Sequence, residues 1–148
     1  MSIVIRAMAA TDIPAAGKLL SQLGYEMNTG EVERRYNAVR ERGDHAVFVA
    51  EEDGRIIGFL HLYERPALDK PPEVIVQAIV VDQRSRGTGI GKTIMSMAER
   101  WASERGFSSI ALTSNISRSG AHSFYNRLGY KIEATSHLLR KQLEGQSV

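Results

Sequence analysis

The chain has 148 residues, of which 43% are hydrophobic and 24% charged, so a single domain over residues 1–148 with its own core is expected. Nineteen Lys and Arg nearly balance seventeen Asp and Glu, and a net charge of +2 does not indicate a nucleic-acid partner. The absence of cysteine excludes disulfides and thiolate zinc sites and favours the cytoplasm, and no apolar run approaches the ~20 residues of a membrane-spanning helix. We therefore expect neither secretion nor a membrane partner.

Hydrophobic spacing and turn residues predict an α/β (α+β) fold. The predicted strands are 2–6, 45–51, 55–63, 74–81, 108–113, 130–134 and 137–142, and the predicted helices start near Thr11, Thr29, Gly89 and Arg118. The turn Asp53-Gly54 indicates an antiparallel hairpin, and the apolar run 74–81 is typical of a strand buried on both faces. We expect a central mixed, largely antiparallel sheet of about six or seven strands flanked by about four helices.

The segment 82–93 runs from a strand end directly into a helix and carries three glycines at alternate positions, among several basic residues. Glycine lets a backbone approach a ligand closely, and the free amides at the start of a helix favour an anion. The segment therefore predicts a site for a phosphate or pyrophosphate group. An ordinary glycine-rich turn with solvated arginines is the alternative.

Three anion-binding motifs can be compared with this loop. A Walker loop needs glycine where Arg86 stands, and the dinucleotide motif needs G-x-G-x-x-G where this chain has G-x-G-x-G. The third motif, R-x-x-G-x-G, is met by Arg86, Gly89 and Gly91. In this motif the sequence resembles the GNAT superfamily of acetyltransferases, in which the loop amides hold the pyrophosphate of coenzyme A.

A second segment, residues 118–130, is similar to the other signature of that superfamily, and the order of predicted elements matches it over most of the chain. Residues 113–125 are also similar to aminoalkylphosphonate acetyltransferases. The resemblance implies the GNAT fold and acetyl-CoA as the acyl donor. It implies that the coenzyme is bound by Ile79, Val80, Val81, Arg86, Gly87, Thr88, Gly89, Ile90, Gly91, Lys92, Asn115 and Tyr125.

Acetyl transfer from a thioester to an amine needs a proton for the departing thiolate. The resemblance brings Tyr125 near the coenzyme sulfur, where a phenol is able to act as the acid. Packing of Phe124 and Tyr125 in the core is the alternative for this pair. Asn115 would contact the pantetheine or the reacting centre, or simply form a turn.

The amine must also lose a proton, because an alkyl ammonium has a pKa near ~10.4. The strand 74–81 offers only Gln77, whose amide is not a base but would need a hydrogen-bond partner in a buried strand. Glu73 is the candidate base acting through water, and Glu64 and His61 are alternatives. No metal is expected, since the four histidines lack the spacing of a ligand set.

The sequence therefore predicts an enzyme that moves acetyl from acetyl-CoA to a primary amine by direct attack in a ternary complex, since no cysteine is present to carry the acyl group. The expected acceptor is a small molecule, and the resemblance implies that its site is shaped by the first two helices and by loops 25–30 and 65–72. A protein amine as acceptor and a catalytically silent acyl-CoA-binding module are the alternatives. A homodimer would be ordinary for the superfamily.

Overall fold

A computed structural model describes residues 2–145. Its helices and strands, in chain order, are β1 Ile3–Ala7, α1 Ile13–Ser21, α2 Thr29–Arg40, β2 His45–Glu52, β3 Arg55–Arg65, β4 Glu73–Val81, α3 Ile90–Glu104, β5 Ile110–Leu112 and α4 Ser119–Arg127. Single 3₁₀ turns, Ala10–Asp12 and Gln83–Ser85, precede α1 and α3. The chain divides between Thr113 and Ser114 into two compact units.

The first unit is built on a sheet with the strand order β1-β2-β3-β4-β5. The pairs β1–β2, β2–β3 and β3–β4 are antiparallel, and β4–β5 is parallel. The parallel pair follows from the crossover through α3, because a parallel connection needs a chain segment that returns to the same end of the sheet. The predicted mixed, largely antiparallel sheet and the four helices are confirmed.

The predicted number of six or seven strands is too high, since the sheet has five. Residues 130–134 and 137–142 form no strand in the structure. Their alternating pattern satisfied the sequence rule, but a strand exists only where a neighbouring backbone completes its hydrogen bonds. The apolar side chains of this segment are exposed instead, with Ile132 at 77% and Leu139 at 88%.

One face of the sheet is covered by α1 and α2. Asn28 rather than the predicted Thr29 caps α2, with its side-chain oxygen accepting from the amide of Glu31 at 2.8 Å. The core on this face consists of Met8, Ile13, Ala16, Leu19, Val32, Val49, Phe59 and Val80. Burial of these apolar groups fixes α1 against β3 and β4, the strands that carry the site.

The opposite face is covered by α3, whose buried side includes Ile94 and Met95. Gly58 of β3 allows this close packing, because a β-carbon at Gly58 would lie 2.6 Å from Cδ1 of Ile94 and 3.1 Å from Cβ of Ala50. A larger residue would push α3 away from the sheet. The glycine therefore sets how closely the helix that follows the glycine loop approaches β3.

The second unit contains α4, on which no residue is fully buried. The partly buried side chains of the helix and its end are Ala121, His122, Phe124, Tyr125 and Leu128. Gly129 follows with a positive φ, as is usual after a helix end.

Candidate active site

Strand β4 has a partner on both sides only over its first residues. β5 pairs with Val74, Ile75 and Val76, whereas β3 accompanies β4 as far as Val81. No strand among residues 2–145 pairs with residues 77–81 on the β5 side. The backbone groups that point to that side are open to a ligand, as at the edge of any sheet.

A β-bulge marks the point where β4 and β5 separate. In the register with β3, His61 faces Ala78 and Leu62 faces Val76, so Gln77 is the extra residue. The side chain of Gln77 is exposed, and β4 is not buried on both faces as the sequence predicted. The apolar run was misleading because one edge of its second half lacks a neighbouring strand. Gln77 therefore needs no buried hydrogen-bond partner. It is the first residue of β4 beyond the pairing with β5.

The glycine loop continues directly from the open end of β4. Gly87 and Gly89 have φ values of 81° and 88°, and Gly89 is the N-cap of α3. The first backbone hydrogen bond of α3 runs from Thr93 to Gly89, so the amides of residues 90–92 have no helical partner. Buried Ile90 anchors this turn in the core, and the free amides form an anion site at the helix N-terminus.

Basic side chains surround these amides. Arg84, Arg86 and Lys92 are exposed, and Nε of Arg86 donates to the carbonyl oxygen of Val81 at 3.2 Å. This hydrogen bond holds the Arg86 guanidinium beside the last residue of β4. The predicted coenzyme residues of the first unit thus follow one another along the chain, from residues 79–81 at the end of β4 to residues 86–92 at the start of α3.

The other two candidates belong to the second unit. The ring of Tyr125 is half-buried and makes edge contacts with Phe124 and Tyr130 at centroid distances of 5.1 and 5.9 Å. Burial raises the pKa of the Tyr125 hydroxyl, and the charge of Arg118 opposes this shift. The phenol is therefore protonated at neutral pH, as an acid must be before it acts.

Asn115 lies before α4 and forms a turn. Its side-chain oxygen accepts hydrogen bonds from the amide and the hydroxyl of Ser117, at 2.9 and 2.7 Å. Its backbone carbonyl is 3.0 Å from Nε2 of His122 and also accepts from the amide of Arg118. The turn predicted as the alternative for Asn115 is present, and its side-chain amide nitrogen is left for other contacts.

Glu73 stands at the start of β4, in the part of the strand that is paired on both sides. One of its carboxylate oxygens is 3.1 Å from the Arg65 guanidinium, and the other accepts from the hydroxyl of Ser109 at 3.1 Å. Both oxygens of this carboxylate are thus engaged in contacts within the protein. The geometry therefore favours a structural role for Glu73 at the β3–β4–β5 junction.

A histidine pair was not visible in the sequence. Nδ1 of His45 lies 2.9 Å from Nε2 of His61, and the His45 ring stacks on Tyr63 at 4.9 Å. The hairpin register changes at a bulge in which Ile57 is the extra residue. Without that bulge His45 would face Leu62, and the two histidines would lie on opposite faces of the sheet. The hairpin signal alone does not contain this shift.

The Acetyltransferase (GNAT) family model matches residues 18–130 of the chain. An uncharacterised N-acetyltransferase of Bacillus subtilis is 27% identical over 124 residues, which cover 83% of this chain and 86% of that protein. The aminoalkylphosphonate N-acetyltransferase of Salmonella typhimurium is 33% identical over 84 residues, which cover 56% of this chain and 54% of that protein. An aminoglycoside N-acetyltransferase solved with CoA has the same fold, with a TM-score of 0.86, 22% identity and 96% of each chain covered.

Residues 2–145 contain neither a side-chain cluster for a metal ion nor a membrane-spanning helix. No cluster of three or more His, Asp or Glu side chains within residues 2–145 is arranged to hold a metal ion. None of the helices in this range has the length and apolar character that crossing a bilayer requires.

Proposed function

The chain belongs to the GNAT acetyltransferase family, and from that premise we propose that it transfers acetyl from acetyl-CoA to a primary amine of a small molecule. The observation that carries this proposal is the continuity of the open edge of β4, residues 77–81, with the glycine loop and the free amides of α3. The loop and the free amides of α3 suit a pyrophosphate. The open edge of β4 suits a group that needs backbone hydrogen bonds.

The residues of the loop fit a coenzyme A pyrophosphate. A β-carbon at Gly87 or Gly89 would meet no protein atom within 4 Å, so the space above the loop is open to a ligand. The amides of Ile90, Gly91 and Lys92 would bind the phosphate oxygens, with charge from Arg86 and Lys92. The backbone of residues 79–81 would hold the acyl end of the donor. Asn115 is proposed to add a contact through its free amide nitrogen.

We propose direct attack of the amine within a ternary complex. When bound, acetyl-CoA supplies an activated thioester. The backbone N–H group of Val81 stabilises the charge that develops on the carbonyl oxygen, because it is fixed in the sheet before reaction and, unlike that of Val80, is not directed toward β3. Tyr125 donates its proton to the departing thiolate. Gln77, at the bulge, is proposed to orient the acceptor, since its amide both donates and accepts hydrogen bonds.

A small-molecule acceptor is supported by the names of two similar proteins, an aminoalkylphosphonate and an aminoglycoside N-acetyltransferase. A lysine side chain of a protein is the alternative acceptor. The family match spans residues of both compact units, which supports a single catalytic domain over residues 1–148. A cytoplasmic location and a homodimer complete the proposal, the first because the chain has no cysteine.

Two measurements test this function. Calorimetry should detect binding of acetyl-CoA, and a thiol-release assay over aminoglycosides, aminoalkylphosphonates and a lysine peptide should detect transfer. Faster turnover of the peptide than of every small amine would contradict the small-molecule assignment. A folded protein that binds no acetyl-CoA would contradict the function as a whole.

A further inference from the structure

The His45–His61 pair lies beside the open edge of β4. Val47 and Ala78 flank His61 on the two neighbouring strands, and both pack against the core under α1 and α2. His61 is therefore on that face of the sheet. Residues that face each other on neighbouring antiparallel strands have their α-carbons about 5 Å apart. His61 is thus one strand away from Ala78, the residue that follows the bulged Gln77.

His45, the other member of the pair, lies on β2 and is therefore farther from the open edge of β4. His45 lines a cavity of about 370 Å³ together with Met8, Tyr36 and Arg40. Both imidazole rings are half-buried, and their 2.9 Å nitrogen contact connects the interior side of His61 to this cavity. The two rings thus contact each other through their nitrogens, with His61 on the strand beside the bulge and His45 at the cavity.

We infer that His61 and His45 carry the ammonium proton of the acceptor away from the open edge of β4 before the amine attacks. This inference rests on the proposed acetyl transfer and assigns the proton acceptor that the reaction needs. It applies to acceptors whose amine is protonated at neutral pH, because only those must lose a proton on binding.

The transfer balances as follows. The N–H bond of the ammonium breaks, and its proton passes through a bound water to Nδ1 of His61. The proton on Nε2 of His61 moves to Nδ1 of His45, and Nε2–H of His45 releases its proton to water in the cavity. The products are a neutral amine, a neutral histidine pair and one hydrated proton, so no further reactant is consumed.

The surroundings of the pair suit transfer better than storage of a proton. Burial, helped by the charge of His45, lowers the pKa of His61 to about 4, so His61 does not retain a proton at neutral pH. Tyr63 is stacked on His45, and on β4 Ala78 faces His61 while Ile75 faces Tyr63. The charged and titratable groups on the neighbouring elements are Tyr36 and Arg40 on α2, and Asp44, which is paired with Arg42.

Isosteric variants test this path in the full-length protein. Gln at position 61 keeps a polar atom where Nε2 lies, and Asn at position 45 keeps one where Nδ1 lies, but neither ionises. His61→Gln and His45→Asn should each lower kcat/KM about tenfold or more at pH 7, measured with the best small amine. The loss should shrink as the pH approaches the amine pKa near ~10.4, where the amine is already neutral. His137→Gln, on an exposed histidine of the second unit, is the matched control.

The outcomes separate this inference from the proposed function. A parent protein that acetylates none of the amines removes both. An active parent whose His61→Gln and His45→Asn variants have parental rates, or lose the same factor at every pH, removes only the histidine path. A pH-dependent loss in Glu73→Gln instead would transfer the role to Glu73. As a second readout on the unsubstituted protein, ¹⁵N spectra should show His61 still neutral at pH 6, since its pKa is lowered to about 4, and a protonated His61 at that pH would contradict the path.

Discussion

Residues 73–76 and residues 77–81 belong to one strand, β4, but their backbones are used differently. The first part is paired with β3 and β5, and Glu73 is fixed there by Arg65 and Ser109. The second part is paired with β3 alone and leads into the glycine loop. Both parts are rich in Val and Ile, so the difference lies in the neighbours and not in the side chains.

The comparison shows how a buried sheet can bind a ligand through its backbone. Hydrogen-bonding groups that are already used by a neighbouring strand are not available to a substrate. The bulge at Gln77 lies at the junction, where the extra residue bends the strand and pairing with β5 stops. The paired part therefore supplies rigidity, and the open part supplies donors and acceptors in fixed positions.

The largest expected effect concerns the loop that extends the open part. Gly89→Asp should weaken acetyl-CoA binding about 100-fold or more, because a carboxylate beside the free amides would repel the pyrophosphate. The matched control is Gly106→Asp, since Gly106 follows the other end of α3 with a nearly equal φ of 85° and similarly open surroundings. Both variants carry the same backbone strain, so calorimetry isolates the charge. Equal affinities in the two folded variants would exclude the loop from the coenzyme site.

The next expected effect is on turnover and concerns Tyr125, the proposed acid of the second unit. Tyr125→Phe keeps the ring and should leave acetyl-CoA affinity unchanged. If Tyr125 is the acid, kcat should fall about 100-fold, the usual size of general acid catalysis. Tyr130→Phe, on the ring that contacts Tyr125, is the control and should retain the parental rate. A kcat for Tyr125→Phe within about threefold of the parent would exclude Tyr125 as the acid and leave core packing as its role.

The sequence predicted these two regions with unequal success. The glycine loop was recognisable because its chemistry is local: consecutive residues supply the positive φ values, the free amides and the charges. The histidine pair and the open edge depend on bulges at Ile57 and Gln77, and each bulge arises from how two distant segments pair. Nothing in the local sequence of either strand marks the extra residue.

The same reasoning explains the other differences. The hairpin at Asp53-Gly54 was predicted correctly, because a two-residue turn fixes the first pairs on each side. The strands predicted at 130–134 and 137–142 are absent because alternation describes a preference and not a partner. Single residues near element ends, such as the cap Asn28, differ from prediction by one position, which is the usual uncertainty of element ends.

A third prediction concerns Gly58 of β3, which lies between the open part of β4 and α3. Gly58 faces Val81 across the β3–β4 pair and lies against Ile94 of α3. Gly58→Ala should destabilise the protein by about 1–3 kcal/mol, because the new methyl group has no room beside Ile94 and Ala50. Urea unfolding measures this loss. Gly43→Ala is the control, since a β-carbon there meets nothing within 4 Å. Equal stability of the two variants would mean that α3 shifts without cost.

The smallest expected effect compares the pH responses of the two parts of β4. His61, opposite the open part, has a pKa lowered to about 4 by burial, against 6.5 for an unburied histidine. Between these values the unfolded chain binds more protons than the folded one, so stability is complete above pH 6.5 and decreases as the pH falls towards 4. A full shift would be worth about 3 kcal/mol, and partial exposure of the ring reduces the expected loss to about 1 kcal/mol.

His61→Gln should remove this part of the pH dependence, whereas Glu73→Gln, in the paired part, should retain it. Asp12 does not interfere, because the hydrogen bond from Arg6 lowers the pKa of that carboxyl below 3.8 and its contribution is lost only in stronger acid. Urea unfolding of the three proteins from pH 4 to pH 7 measures the difference, and parallel curves for His61→Gln and the parent would show that the His61 ring is as well solvated folded as unfolded.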